Sequence, residues 1–266
     1  MNHLLREIAP ITESGWGLLD EEARERLTAG LAARKLVDFA GPRGWTHSAT
    51  NLGRTELIED VSAGVRARRR SVLPLVELRA DFAVAREELR EAGRGAEDVD
   101  LDALDVAALA IAAAENVAVF HGWSEAGITG IAEASPHPAI HLEGDYDNYP
   151  RCVAQAVERL TNAGIRGDFG LALGPDDFTG VIETTEHGGY PVFDHLRQIL
   201  GGPIVRAPGL RGGIVISQRG GDFLFESGQD LSIGYSHHDD QDVHLYVEET
   251  FSFRVATSEA AVPLTA

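Results

Sequence analysis

The chain has 266 residues, with 42 acidic residues against 23 lysines and arginines, and its formal net charge is −19 at pH 7. Because a nucleic acid or an anionic membrane would repel such a surface, neither is expected as the main partner. This length is sufficient for one large domain or two ordinary ones. The hydrophobic content of 44% is typical of a folded soluble protein.

Two further features indicate the compartment. Cys152 is the only cysteine, which excludes an internal disulfide and a cysteine-based metal site. The sequence begins without the signal-peptide pattern of basic and then apolar residues, and no uninterrupted apolar run reaches the roughly 18 residues of a membrane span. We therefore expect a cytoplasmic protein.

The first third of the sequence predicts a helix and an extended arm. Over residues 14–34 apolar side chains recur at helical spacing, which favours a helix that either covers the core or lines a docking groove. A strand is predicted over residues 36–39. Residues 51–74 contain few large apolar side chains and four arginines between positions 66 and 70. They predict a hairpin arm that is either solvated or bound to a partner.

The strongest helical pattern covers residues 101–120. It is rich in alanine and apolar on most sides, which predicts a buried spine helix. Residues 76–82 before it alternate as a strand does, and residues 87–92 favour a short helix. Glu115, inside the spine, is interpreted either as a catalytic acid or as the buried partner of an arginine.

Helices and strands alternate beyond the prolines at 136 and 138. Helices are predicted over residues 151–163, 176–184 and 192–200, and strands over residues 169–173, 204–205 and 214–217. In the last fifth of the chain, Phe223 and Phe225 follow a turn at Gly220 and Gly221. A second strand pair with the same period of two covers residues 243–255, so we predict a small antiparallel sheet with one apolar face.

Motifs of known catalytic chemistry are missing from the sequence. It contains no phosphate-binding loop, no dinucleotide-binding glycine pattern and no nucleophile elbow. The run from His237 to Asp240 is either a divalent-metal site at a turn or a solvated hairpin tip. Neither catalysis nor a bound metal is expected, and the long arm suits a protein that works by assembling.

Several motifs in chain order resemble the encapsulin (linocin-type) shell proteins over nearly the whole sequence. They cover residues 4–13, 73–79, 120–123, 127–131, 190–191, 219–223, 228–235 and 248–253. The resemblance implies an α+β fold of the Hong Kong 97 type, which forms the capsids of tailed bacteriophages. On that fold, the N-terminal helix and start of the peripheral domain would cover residues 1–51, the extension arm 52–73, the peripheral domain with the spine helix 74–135, the axial domain 136–213, and the C-terminal peripheral sheet 214–266.

The resemblance also implies a function. Encapsulins self-assemble into closed icosahedral nanocompartments, in the simplest form of roughly sixty identical subunits. They enclose a cargo enzyme, a dye-decolourising peroxidase or a ferritin-like protein, through its C-terminal targeting peptide. The expected partners are therefore copies of this chain and such a cargo. Some relatives bind a flavin, but Glu87 occupies that neighbourhood here, so no cofactor is expected. The alternatives are a bacteriocin- or protease-like enzyme and a phage major capsid protein.

The resemblance finally assigns two sets of site residues. Cargo-peptide contacts are expected at Leu27, Leu31, Arg34, Asp38 and Ile233. The five-fold pore is expected to be lined by Thr185, Glu186, His187, Gly188, Gly189 and Tyr190. An acidic and histidine-bearing ring would favour cations over anions.

Overall fold

The computed structural model describes residues 3–62, 64–142, 144–186 and 188–265. The helices are α1 (Glu13–Gly30), α2 (Arg86–Arg94), α3 (Asp102–Phe120), α4 (Ile131–Ala134), α5 (Tyr149–Asn162), α6 (Pro175–Glu183) and α7 (Val192–Leu200). The strands are β1 (Asp38–Ala40), β2 (Ala49–Ser62), β3 (Val65–Pro74), β4 (Val76–Ala85), β5 (Gly122–Trp123), β6 (Ile128–Thr129), β7 (Ile140–His141), β8 (Phe169–Leu173), β9 (Gly201–Arg206), β10 (Gly213–Ser217), β11 (Phe223–Ser227), β12 (Ser232–His238), β13 (Asp242–Val255) and β14 (Ala261–Thr265).

The first sheet is built around β13. Strands β4, β11 and β12 all pair with β13 in antiparallel orientation, and β1 joins the edge parallel to β11. Val243, Leu245, Phe251 and Phe253 are buried as predicted. The prediction of a single buried face is wrong for the middle of β13, because Tyr246, Glu248, Thr250 and Ser252 on its other face are buried too. However, the residues predicted as a strand pair form one continuous strand of 14 residues.

The second sheet has the strand order β7-β14-β10-β8-β9. Strand β14 lies inside it, antiparallel to β10 on one side and parallel to β7 on the other. The prediction of one sheet for the whole C-terminal fifth is therefore wrong for β14, which belongs to the second sheet.

Two apolar clusters hold the fold together. One is enclosed by α1, α3 and the first sheet and includes Leu19, Leu104 and Leu245. The other surrounds the second sheet and extends to Phe120 at the end of α3. By length and hydropathy α3 would meet the criterion for a membrane span, but 56% of its most apolar window is buried inside the structure. It has the burial of a core spine, as the sequence predicts.

Helix α1 ends earlier than predicted because buried Asn116 of α3 binds the chain beyond it. The Asn116 side-chain oxygen accepts hydrogen bonds from the backbone N–H groups of Ala32 and Ala33, at 3.0 and 2.9 Å. Its amide nitrogen donates to the Gly30 carbonyl at 2.9 Å. Since the last carbonyls of a helix have no partner within it, this contact ends α1 at Gly30 and starts the 3₁₀ turn that contains Arg34.

The predicted arm is confirmed as a hairpin. Strands β2 and β3 form a two-stranded sheet of their own. Leu57 and Val65 are 67% and 54% exposed on it, so the subunit leaves apolar side chains of the arm uncovered.

Candidate functional site

A groove of about 340 Å³ lies between α1 and the first sheet. Leu27 and Leu31 line it from the end of α1, Arg34 from the following turn, and Ile233 from β12. The structure therefore brings together four of the five residues that the resemblance assigns to cargo-peptide contacts.

The floor of this groove is apolar and belongs to the core. Ile233 is 3% exposed and Leu27 is 8% exposed, while Leu31 is half-buried. A charged substitution at Ile233 would therefore disturb packing as well as the groove, whereas Leu31 is accessible to a ligand.

Polar groups surround the apolar floor. Arg6 and Asp20 form an ion pair at 2.7 Å on one side, and the Arg6 guanidinium lies 4.0 Å above the ring of Trp16. Asp230 and Ser232 lie on the other side. An extended peptide needs this combination of apolar pockets and fixed donors and acceptors.

Arg34 is the centre of the buried polar network beside the groove. Its Nε and Nη2 atoms lie 2.7 Å from Oε2 of Glu115 on α3. Nη2 also lies 2.7 Å from Oε2 of Glu249 on β13, and Nη1 donates to Oδ1 of Asp230 at 2.7 Å. The interpretation of Glu115 as the partner of an arginine is thus confirmed.

The two glutamates of this network are fully buried. Burial raises the pKa of the Glu115 carboxyl, while Arg34 opposes the change. Burial raises the pKa of Glu249 well above its ordinary value, and the charge of Glu115 adds to that effect. For Arg34, burial lowers the pKa, but the two carboxylates more than offset this, so the guanidinium stays charged.

Asp38 lies elsewhere. It is not among the residues that line the groove, and its Oδ2 atom accepts a hydrogen bond of 2.6 Å from the backbone N–H of Gly221. Gly220 and Gly221 both have positive φ, as predicted for a glycine turn. Asp38 thus holds that turn against β1.

The predicted pore loop connects α6 to α7 and is closed by local contacts. The Glu186 N–H donates to the Tyr190 carbonyl at 2.8 Å, and Thr185 forms a bridge with Pro191. Gly188 and Gly189 have φ values of 125° and 82°, which other residues rarely adopt. His187 lies outside the described residues.

One side chain of this loop has a partner that sequence reasoning missed. Oε1 of Glu186 lies 2.7 Å from Nδ1 of His195 on α7, and the ring of Tyr190 meets the His195 ring edge-on. No spacing in the sequence distinguishes His195 as that partner, since it depends on the path of the loop.

The network around Arg34 also contains residues that the sequence analysis did not select. Glu249 follows Val247 and precedes Phe251 by two residues each, so it falls on the same face of β13 as these buried side chains. An acidic residue at an apolar position of a strand was the available signal. Asp230 and Asn116 offered no such signal.

Within the residues that the structure describes, no three His, Cys, Asp or Glu side chains are arranged to hold a metal ion. The turn after His237 instead has local contacts. Oδ2 of Asp239 lies 3.3 Å from Nε2 of His244, and the His237 and His244 rings are stacked.

Comparison with known proteins identifies the fold and the family. The chain is 17% identical to the virus-like particle from Pyrococcus furiosus, covering 93% of this chain and 98% of that one with a TM-score of 0.63. It also matches the mycobacteriophage Bobi structure, with 14% identity, 89% and 90% coverage and a TM-score of 0.58. The expected α+β capsid fold is thereby confirmed.

At the level of sequence, residues 1–252 match the family model described as an encapsulating protein for peroxidase. The chain is 48% identical to the type 1 encapsulin shell protein of Rhodospirillum rubrum, over 99% of this chain and 96% of that protein. The chain therefore belongs to the encapsulin shell protein family.

Proposed function

We propose that this chain assembles into a closed icosahedral nanocompartment in the cytoplasm and encloses a cargo enzyme through a C-terminal targeting peptide. Its membership of a family of capsid-like shell proteins supports homo-oligomeric assembly. The chain would act as a container without catalysis of its own. The observation that carries the cargo proposal is the groove beside α1, with its apolar floor and polar sides.

The groove has the properties of a peptide receptor. Half-buried Leu31 lies next to buried Leu27 and Ile233, which offers an apolar pocket for a side chain. Asp230 is 40% exposed, and its Oδ1 atom is held by Arg34, so its carboxylate has a defined position at the groove. An extended peptide would bury apolar side chains on the floor and satisfy backbone groups at the sides.

The expected cargo is a peroxidase. The description of the matching family names a peroxidase as the enclosed protein. A ferritin-like cargo is the second candidate that the family resemblance offers. The loop of residues 185–190 would line the five-fold opening, where Glu186 would favour cationic substrates.

Electron microscopy of the protein expressed alone tests the assembly. Uniform hollow spheres a few tens of nanometres across are expected, without any cargo present. Particles of monomer or dimer size would contradict the proposal.

The cargo groove is tested by co-expression with a fluorescent protein that carries the C-terminal peptide of a dye-decolourising peroxidase from the same genome. Shells of the unaltered chain should retain the fluorescence through size-exclusion chromatography. Leu31→Asp should still assemble but lose most of it, because the substitution places a charge in the apolar pocket. Leu109→Asp is the matched control, since Leu109 is 44% exposed and does not line the groove. Equal retention by both variants would contradict the assignment of the groove.

A further inference from the structure

The charges around Arg34 do not balance if every acid is ionised. Glu115, Glu249 and Asp230 each contact its single guanidinium at 2.7 Å. Their charges would sum to −3 against +1. The Asp230 side chain is 40% exposed, so solvent can screen its charge, but both glutamates are fully buried. An uncompensated negative charge at a buried position is costly.

The hydrogen bonds show where the imbalance lies. Oε2 of each glutamate binds Arg34, while Oε1 of Glu115 and Oε1 of Glu249 are buried without a hydrogen-bond partner. Buried polar atoms normally have one. Two carboxylates that straddle the same Nη2 atom are close neighbours. A single proton held between them would supply the missing partner and remove one negative charge.

We propose that Glu115 and Glu249 share one proton in the folded subunit and act as positioning residues that hold Arg34 at the groove. The charged groups that face the pair are Arg34 from the turn after α1 and Asp230 from the loop before β12. With one shared proton, both acids can accept hydrogen bonds from the Arg34 guanidinium without repelling each other. Nη1 is then directed at Asp230, whose carboxylate lies at the groove. The role in cargo binding rests on the proposed function, whereas the shared proton does not.

The pair makes the stability of the groove depend on pH. A carboxyl with a raised pKa in the folded state binds a proton that the open state releases. The stability of the groove is therefore greatest at low pH and falls as the pH rises above the ordinary Glu value of 4.5 towards the raised value of the folded pair. Within that window, local opening becomes about tenfold more favourable per pH unit.

Infrared spectroscopy of cargo-free shells at neutral pH detects the proton directly. A protonated carboxylic acid has a C=O stretch that ionised carboxylates lack. We expect this band in unaltered shells, and its loss in both Glu115→Gln and Glu249→Gln. Glu226→Gln is the control, because it removes a glutamate of the same sheet. Burial alone would raise the pKa of Glu226, but hydrogen bonds with Thr50 and His47 outweigh that effect and the pKa is lowered. Absence of the band from unaltered shells, or its retention in either Gln variant at the pair, would overturn the inference.

Hydrogen exchange supplies a pH profile that a packing role alone would not produce. After correction for intrinsic rates, protection of residues 31–37 should fall with rising pH in unaltered shells and stay level in Glu249→Gln, which mimics the protonated acid. Equal pH profiles would overturn the positioning role. Shells that show the band but capture no peptide would contradict only the proposed function. Shells that capture peptide without the band would contradict only this inference.

Discussion

The groove beside α1 is held by buried contacts between distant parts of one subunit, whereas the arm is held by pairing between two adjacent strands. Arg34 reaches residues 81, 196 and 215 positions away in the sequence. The arm carries exposed Leu57 and Val65 and forms its own two-stranded sheet. Folding of one chain completes the groove, whereas it leaves Leu57 and Val65 of the arm exposed, and we predict that a neighbouring subunit covers them. Substitutions in the two regions should therefore affect different measurements.

The largest effect on subunit stability is expected for Arg34→Ala. Removing the guanidinium leaves two buried glutamates without their cation, which costs about 3–5 kcal/mol of the free energy of unfolding. Denaturant unfolding followed by tryptophan fluorescence measures it. The control is Arg24→Ala at the exposed side of the same groove, which should change stability by less than about 0.5 kcal/mol. Equal effects of the two substitutions would contradict the role of the buried network.

Asn116→Ala should have the next largest effect. It removes the acceptor of two buried backbone N–H groups, at Ala32 and Ala33, and each unsatisfied group costs about 1–3 kcal/mol. Protection of residues 30–36 against hydrogen exchange should also fall. Asn162→Ala, at an exposed position, serves as the control. Unchanged protection would show that Asn116 does not hold the turn of Arg34.

Leu57→Asp should abolish assembly while leaving the stability of the subunit nearly unchanged. The side chain is 67% exposed, so the circular dichroism spectrum of the subunit should stay the same. Its free energy of unfolding should change by less than about 0.5 kcal/mol. Assembly should fail, because a charge would be buried against the neighbouring subunit. Electron microscopy and size-exclusion chromatography measure the fraction of assembled shells. Leu57→Met is the control, because it keeps an apolar side chain. Intact shells of Leu57→Asp would show that this part of the arm stays in solvent.

Glu186→Gln should change the stability of the subunit only slightly. Its pair with His195 is partly exposed, and such pairs contribute up to about 1 kcal/mol. Entry of a divalent metal that quenches an encapsulated fluorescent protein should become slower, as measured by stopped-flow fluorescence. Glu25→Gln on α1 is the control, since Glu25 is exposed and distant in sequence from the loop. Equal entry rates in both variants would contradict a pore role for Glu186.

Elements with a strong local pattern could be predicted from the sequence. The apolar spine of α3 and the buried strand β8 agree with their predicted ranges within one residue, and α7 agrees at both ends. Local periodicity determines such elements, because each buries one face or all of its side chains. The early end of α1 could not be predicted, since it depends on Asn116, more than eighty positions away.

The candidate site was predictable in part because the family resemblance assigns Leu27, Leu31 and Arg34 to it. These three residues lie close together along α1 and the turn that follows it. The partners Asp230 and Glu249 are joined to Arg34 only by the fold. The charge of Glu249 also led to the prediction of two strands in place of β13. The strand continues through Glu249 because this side chain is buried beside Arg34.

The position of β14 has a consequence for the order of events during synthesis. It lies inside the second sheet, between β7 and β10. The ribosome synthesises β7, β8, β9 and β10 well before residues 261–265. The sheet therefore lacks the strand between β7 and β10 until β14 has been made. The second sheet is therefore complete only after Thr265 has left the ribosome. A nascent chain therefore cannot complete this sheet, and the part of the core that packs on it, until its last strand has been synthesised.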